Sequence, residues 1–176
     1  MMRHLTRWLL VVALVACPAR GQAQERAVCA VARPGAVVVY GEVEQQLVVS
    51  ANDLAGMTQA SIPGEPHGGT PGTYTGPALG EILSRAGVRM GADLRGAALA
   101  RYVVVEAADG YRAVFALAEL DPLFRSAVPI LAHRKDGQPL DGDAGPFQVI
   151  VPGEQRHARW VRQVVCLRLA RDAGAV

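Results

Sequence analysis

Short apolar runs, broken by glycine, proline and charge, set the layout of this chain. Ala36–Val43 and Gln46–Val49 are rich in valine and predict two strands. Ser50, followed three residues on by Asp53, makes a capping-box start for a short helix that stops near Gly56. Gln59–Thr75 carries four glycines, three prolines and a histidine, and predicts one long irregular stretch of the kind that is functional or mobile. Periodicity returns after Gly76. Pro77 suits the first helical position, Leu79, Ile82, Leu83 and Ala86 form one apolar stripe, and Gly87 supplies the stop.

Beyond that helix the period changes to two. Tyr102–Glu106 and Tyr111–Leu117 flank Asp109-Gly110, a hairpin signal. The run Pro129–His133 leads to a second turn at Lys135-Asp136-Gly137, and Phe147–Val151 predicts a strand that ends in Pro152-Gly153. In the last run, Val161, Gln163, Val165, Leu167 and Leu169 share the face expected to pack inward. Many short strands with two or three short helices predict an α+β domain dominated by antiparallel sheet, without internal repeats.

The N-terminal residues follow another pattern. Met1–Trp8 carries Arg3 and Arg7 and no acid, and Leu9–Ala16 is an apolar run of eight. That length suits a secretory signal and falls short of the ~20 apolar residues of a membrane span. Residues 1–23 therefore read as a signal peptide and 24–176 as one domain. Gly21-Gln22-Ala23 fits a signal-peptidase site. Leu14-Val15-Ala16-Cys17 instead resembles a lipobox, which would leave Cys17 as a lipidated N-terminus; Pro18 fits that poorly. No Arg-Arg pair precedes the apolar run, so the route expected is Sec-type and the location periplasmic.

Losing Arg3, Arg7 and Arg20 with the signal turns the net charge from +2 to −1. The basicity of the full chain thus belongs to the signal, and nothing global points to nucleic acid. No later run is apolar enough to span a membrane. Cys29 and Cys166 are the two cysteines left after cleavage, and in an oxidising compartment such a pair is expected to form a disulfide. A redox or metal-binding thiol pair is the rival, with neither a C-x-x-C nor a nearby histidine cluster to support it.

Three ordered segments carry a resemblance. The first is Tyr74-Thr75-Gly76-Pro77-Ala78-Leu79-Gly80-Glu81-Ile82-Leu83 with Ala86-Gly87-Val88. The second runs from Val104 through Asp109-Gly110-Tyr111-Arg112 to Leu120. The third includes Asp136-Gly137-Gln138-Pro139-Leu140, Gly145-Pro146-Phe147-Gln148-Val149-Ile150-Val151-Pro152-Gly153 and Arg159-Trp160-Val161. Together, from about Val37 to Leu169, they resemble the oxidoreductase molybdopterin-binding domain of the sulfite oxidase family, in its short, exported, stand-alone form. The resemblance implies an α+β fold of short antiparallel and mixed strands with a few short helices.

It also implies a cofactor, molybdopterin, whose metal is held by a cysteine thiolate roughly a dozen residues before the glycine of the aromatic-x-Gly motif. Counting back from Gly76 reaches the neighbourhood of Gly64, where this chain has no cysteine. A soft thiolate ligand is not interchangeable with glycine. Family members often carry His before the Gly-Pro pair and Arg after it; here those places hold Ala144 and Gln148. A Sec-type signal also delivers an unfolded chain, whereas the family's enzymes load their cofactor before export.

The candidate cleft residues are His67, Tyr74, Arg112, Arg156, His157, Arg159 and Trp160, with no catalytic or metal-ligating residue among them. Arg156, His157 and Arg159 suit a phosphate or carboxylate, and equally suit a solvated basic turn. Trp160 is expected to be core or pocket wall, Tyr74 to pack at the pocket edge, and Arg112 to face either the pocket or solvent. His67 is a loop histidine with a pocket role or none. No G-x-S-x-G, H-E-x-x-H, P-loop or paired zinc spacing is present.

The reading reached is an exported, non-catalytic ligand-binding or accessory module. It would bind no cofactor, and would hold a small anion in the family's cofactor cleft or meet a periplasmic protein partner. The alternative is an active molybdopterin-dependent oxidoreductase with a non-cysteine metal ligand, resting on the resemblance and on Arg156 and Arg159. A ligand-free, disulfide-stabilised structural domain is the third.

Overall fold

A computed structural model describes residue 29 and residues 35–65, 69–140, 142–172 and 174. The signal peptide reading of residues 1–23, Cys17 and the loop residue His67 lie outside them.

The valine-rich runs form β1 (Ala36–Gly41) and β2 (Leu47–Ser50), paired antiparallel. Ser50 then caps α1 (Ala51–Ala55). Its amide and hydroxyl both donate to Asp53 Oδ2, at 2.8 and 2.6 Å, and the Asp53 amide donates back to Ser50 Oγ, so the capping box forms as expected. The stretch from Gln59 to Thr75 is not wholly irregular. It holds β3 (Ala60–Gly64) and β4 (Gly72–Gly76), antiparallel in register from Ala60–Gly76 to Gly64–Gly72. Three prolines and four glycines hide this pair, because β3 is an edge strand, where a missing N–H is tolerated.

Gly76 is required by packing: a Cβ there would lie 2.0 Å from the Leu131 carbonyl oxygen of the neighbouring strand. Pro77 stays extended, because its carbonyl accepts from the Leu131 amide and Ala78 bridges to Ile130. The helix α2 therefore starts at Leu79 and runs to Arg85. Its stripe of Leu79, Ile82 and Leu83, with Ala86 after it, is fully buried.

After α2 come β5 (Arg101–Ala107), β6 (Arg112–Ala116), β7 (Ile130–Ala132), β8 (Arg134–Lys135), β9 (Gln138–Pro139), β10 (Gln148–Ile150) and β11 (Val164–Arg171). Both predicted hairpins form, β5–β6 around Asp109-Gly110 and β8–β9 around Asp136-Gly137. Three sheets result: β2-β1-β11-β5-β6, β3-β4-β8-β9, and the pair β10-β7. All pairings are antiparallel except β1 with β11. The architecture is the expected α+β type. Among the described residues no helix is long and apolar enough to cross a membrane.

The inward face of the last strand differs in one respect from expectation. Leu167 and Leu169 point into the core, but Val164 does too, and Val165 does not. A β-bulge is the reason: Val164 opposes Ala107 and Cys166 opposes Glu106, leaving Val165 without a partner. One extra residue reverses the side to which the preceding residues point. The other face of the sheet receives Cys166, which forms a disulfide with Cys29 at a Cα–Cα distance of 5.8 Å, packed against Val38.

Candidate functional site

The loops before β4 and after β9 lie beside the β3-β4-β8-β9 sheet. A cleft of about 700 Å³ opens there, walled by Tyr74, Lys135, Leu140, Ala144, Gln148 and Arg162. That volume lies in the usual range of small-molecule sites. A second recess of about 260 Å³ lies between Asp109, Tyr111, His157, Trp160 and Arg162.

Aromatic side chains form the inner wall. Tyr74, on β4, is buried and meets Trp160 edge to face, with ring centroids 5.7 Å apart. Burial, and after it the charge of Asp136, raises the phenol pKa, so Tyr74 stays protonated. Trp160 Nε1 donates to the Val151 carbonyl oxygen at 3.1 Å, and the His157 ring stacks on the indole at 3.9 Å. The indole is therefore fixed from both sides. It belongs to the core and lines the smaller recess.

The basic turn separates into unlike parts. Arg159 is half-buried and paired: its guanidinium bonds Glu154 through Nε at 2.7 Å and Glu119 through one terminal nitrogen at 2.9 Å, and it lies over the Phe115 ring. Burial disfavours its charge, but the bonds to Glu119 and Glu154 and their charges outweigh this and raise its pKa. Two carboxylates already neutralise it, so it offers little to an anion. Arg156 is exposed and lines neither recess, and Arg112 pairs with Glu106 at 2.7 Å on the outer sheet surface. Of the seven candidate residues, Tyr74 alone lines the larger cleft; His157 and Trp160 line the smaller one; His67 lies outside the described residues.

Sequence reasoning missed Lys135 and Arg162. Lys135 carries a signal in hindsight, since it precedes the Asp136-Gly137 turn and pairs across to Tyr74. Its Nζ donates to the Thr70 carbonyl oxygen at 2.6 Å and sits 5.6 Å from the Tyr74 ring centroid. Arg162 carries none, because the left-handed Gln163 and the bulge after it scramble the alternation there. Gln148, noticed only as a departure from the family's arginine, is 3% exposed at the cleft.

The site can be tested against a thiolate-held metal. At Gly64 an added Cβ would lie 2.4 Å from Trp160 Cη2, 3.1 Å from Cζ3 and 3.4 Å from Tyr74 Cε2. The space a cysteine side chain needs is filled by the fixed indole. Both described cysteines are joined in the disulfide on the far side of the sheet, and no group of three His, Cys, Asp or Glu side chains among the described residues is arranged to hold a metal ion. The described residues do not fit the metal end of a molybdopterin centre.

Comparison with known proteins agrees on architecture. A family model described as the oxidoreductase molybdopterin binding domain matches residues 35–173. Among solved structures, the sulfane dehydrogenase SoxCD from Paracoccus pantotrophus superposes with a TM-score of 0.61 at 19% sequence identity, over 80% of this chain. The match spans only 39% of the SoxCD chain, so the likeness is one of fold. No curated protein matches the chain.

Proposed function

Since the chain belongs to the oxidoreductase molybdopterin-binding domain family, we propose that it is an exported member whose metal position is closed and which works as a ligand-binding or accessory module without catalysis. The observation that carries this reading is Trp160 standing where a side chain at position 64 would project. An indole held by the Val151 carbonyl and by His157 does not swing away for a thiolate at little cost. Arg159, one of the three basic-turn residues suited by sequence to an anion, is committed to Glu119 and Glu154.

Export is part of the proposal. It rests on Arg3, Arg7 and the apolar run Leu9–Ala16, and the Cys29–Cys166 disulfide suits an oxidising compartment. The test is to produce the protein with its own N-terminal segment in a molybdenum-replete host, and to measure metal content and the visible spectrum. A colourless, folded, molybdenum-free product is expected. Stoichiometric molybdenum would overturn the reading.

A further inference from the structure

Closure at Gly64 leaves the 700 Å³ cleft beside it open, and three groups in that cleft point to a ligand. Gln148 is 3% exposed, and its Oε1 is shut off from solvent without a hydrogen-bond partner. Buried acceptors are rarely left unmade, and this one belongs to a side chain that lines the cleft. Arg162 lines the cleft, is exposed, and forms no ion pair or hydrogen bond among the described residues. Only three positions from the doubly paired Arg159, it keeps its whole guanidinium fork available for a carboxylate. Lys135 is the second cation; one of its N–H groups goes to Thr70, and two remain.

The acids of the cleft narrow the class. Asp136 uses Oδ1 on the Thr73 amide, at 2.7 Å, and Asp143 stands exposed at the rim. With two cations and two carboxylates among its described lining residues, the cleft is not a general anion trap. It favours a ligand with one acidic group and several neutral donors. We propose that it binds a small hydroxylated organic carboxylate, with the carboxylate on Arg162 and Lys135 and a hydroxyl on the side-chain amide of Gln148. This rests on reading the domain as a metal-free ligand-binding module.

Three six-carbon probes isolate the two requirements: gluconate, glucose without the carboxylate, and hexanoate without the hydroxyls. Calorimetry and thermal shift on the whole domain are expected to show gluconate binding and raising Tm, with glucose and hexanoate weaker by about tenfold or more. Arg162→Gln is a surface change that should leave the unliganded Tm in place and weaken gluconate by about tenfold. Gln148→Leu removes the unpaired acceptor, so the free protein should be at least as stable while gluconate weakens similarly. Absence of gluconate binding, equal binding of glucose or hexanoate, or unchanged affinity in Arg162→Gln would each overturn the proposal. Metal content of the same preparation separates the two readings: molybdenum sinks the module, whereas failed gluconate binding in metal-free protein sinks only the ligand class.

Discussion

The five-stranded and four-stranded sheets of this molecule are held together by different means. In the larger, Val37, Val39, Val103, Val105, Phe115 and Leu167 are all fully buried, and the disulfide fastens the outer face of β11. In the smaller, strands run from two to five residues, and Tyr74 is its one fully enclosed large side chain. Polar tethers stand in for a core there: the Thr73 amide on Asp136, Lys135 on Thr70, Ser61 against Thr75. A sheet packed by apolar area has no room to spare, whereas one tied by exposed hydrogen bonds can border an open cleft.

The difference predicts unequal mutational costs. Phe115→Ala should lower unfolding free energy by about 3–5 kcal/mol in urea titration, as for other large-to-small changes in a closed core. Lys135→Ala, on the other sheet, should cost under ~1 kcal/mol, because its contacts are exposed. Similar values for the two would break the contrast. Replacing both Cys29 and Cys166 with serine frees a loop with a sequence separation of 137. The chain-entropy account puts that loss near 4–5 kcal/mol as an upper figure, and typical measured losses are about 2–4. Hydrogen exchange should then rise in β1 and β11 and change least in β8 and β9.

A sharper probe lies where the two regions meet. Gly64→Ala pushes a methyl onto Trp160 and should destabilise by about 1–3 kcal/mol, the usual range for overpacking. In a Trp160→Ala background the same change should cost almost nothing, so a double-mutant cycle should return a coupling of at least ~1 kcal/mol. Additive effects would mean that the indole does not occupy the space at position 64, and the argument against a thiolate there would fall with it.

What could be read from sequence follows the same division. The large sheet, α1 and α2 announce themselves, because period-two valines, a Ser50–Asp53 box and a Leu79–Ile82–Leu83 stripe are local patterns with local causes. β3 and β4 do not, since proline and glycine dominate their composition and non-local tethers form them. Arg159 and Arg162 look alike as letters. Glu154, five residues away, and Glu119, forty residues away in the chain, together occupy one of them and leave the other available. The bulge at Val165 hides Arg162 further, because a slip of one residue is not written in hydropathy.

The smallest expected effect concerns protons, and again it separates the two regions. His133 follows β7 beside the small sheet, buried, with Nε2 3.0 Å from Gln59 Oε1. Burial, and then the charge of Arg134, holds its pKa below the ordinary 6.5. The unfolded chain therefore binds a proton that the folded chain refuses, so stability is full above pH 6.5 and declines as pH falls through that value toward the folded pKa. Asp53, beside the large sheet, behaves differently. The side-chain and backbone bonds from Ser50 hold its carboxyl below the ordinary 3.8, so its contribution persists above that pH and is lost only on further acidification. Urea midpoints should thus show one decline beginning near pH 6.5 and another below about pH 4. His133→Gln should flatten the first and leave the second. If it flattens neither, the proton uptake on unfolding belongs to another group, and the small sheet does not carry the weaker acid resistance assigned to it.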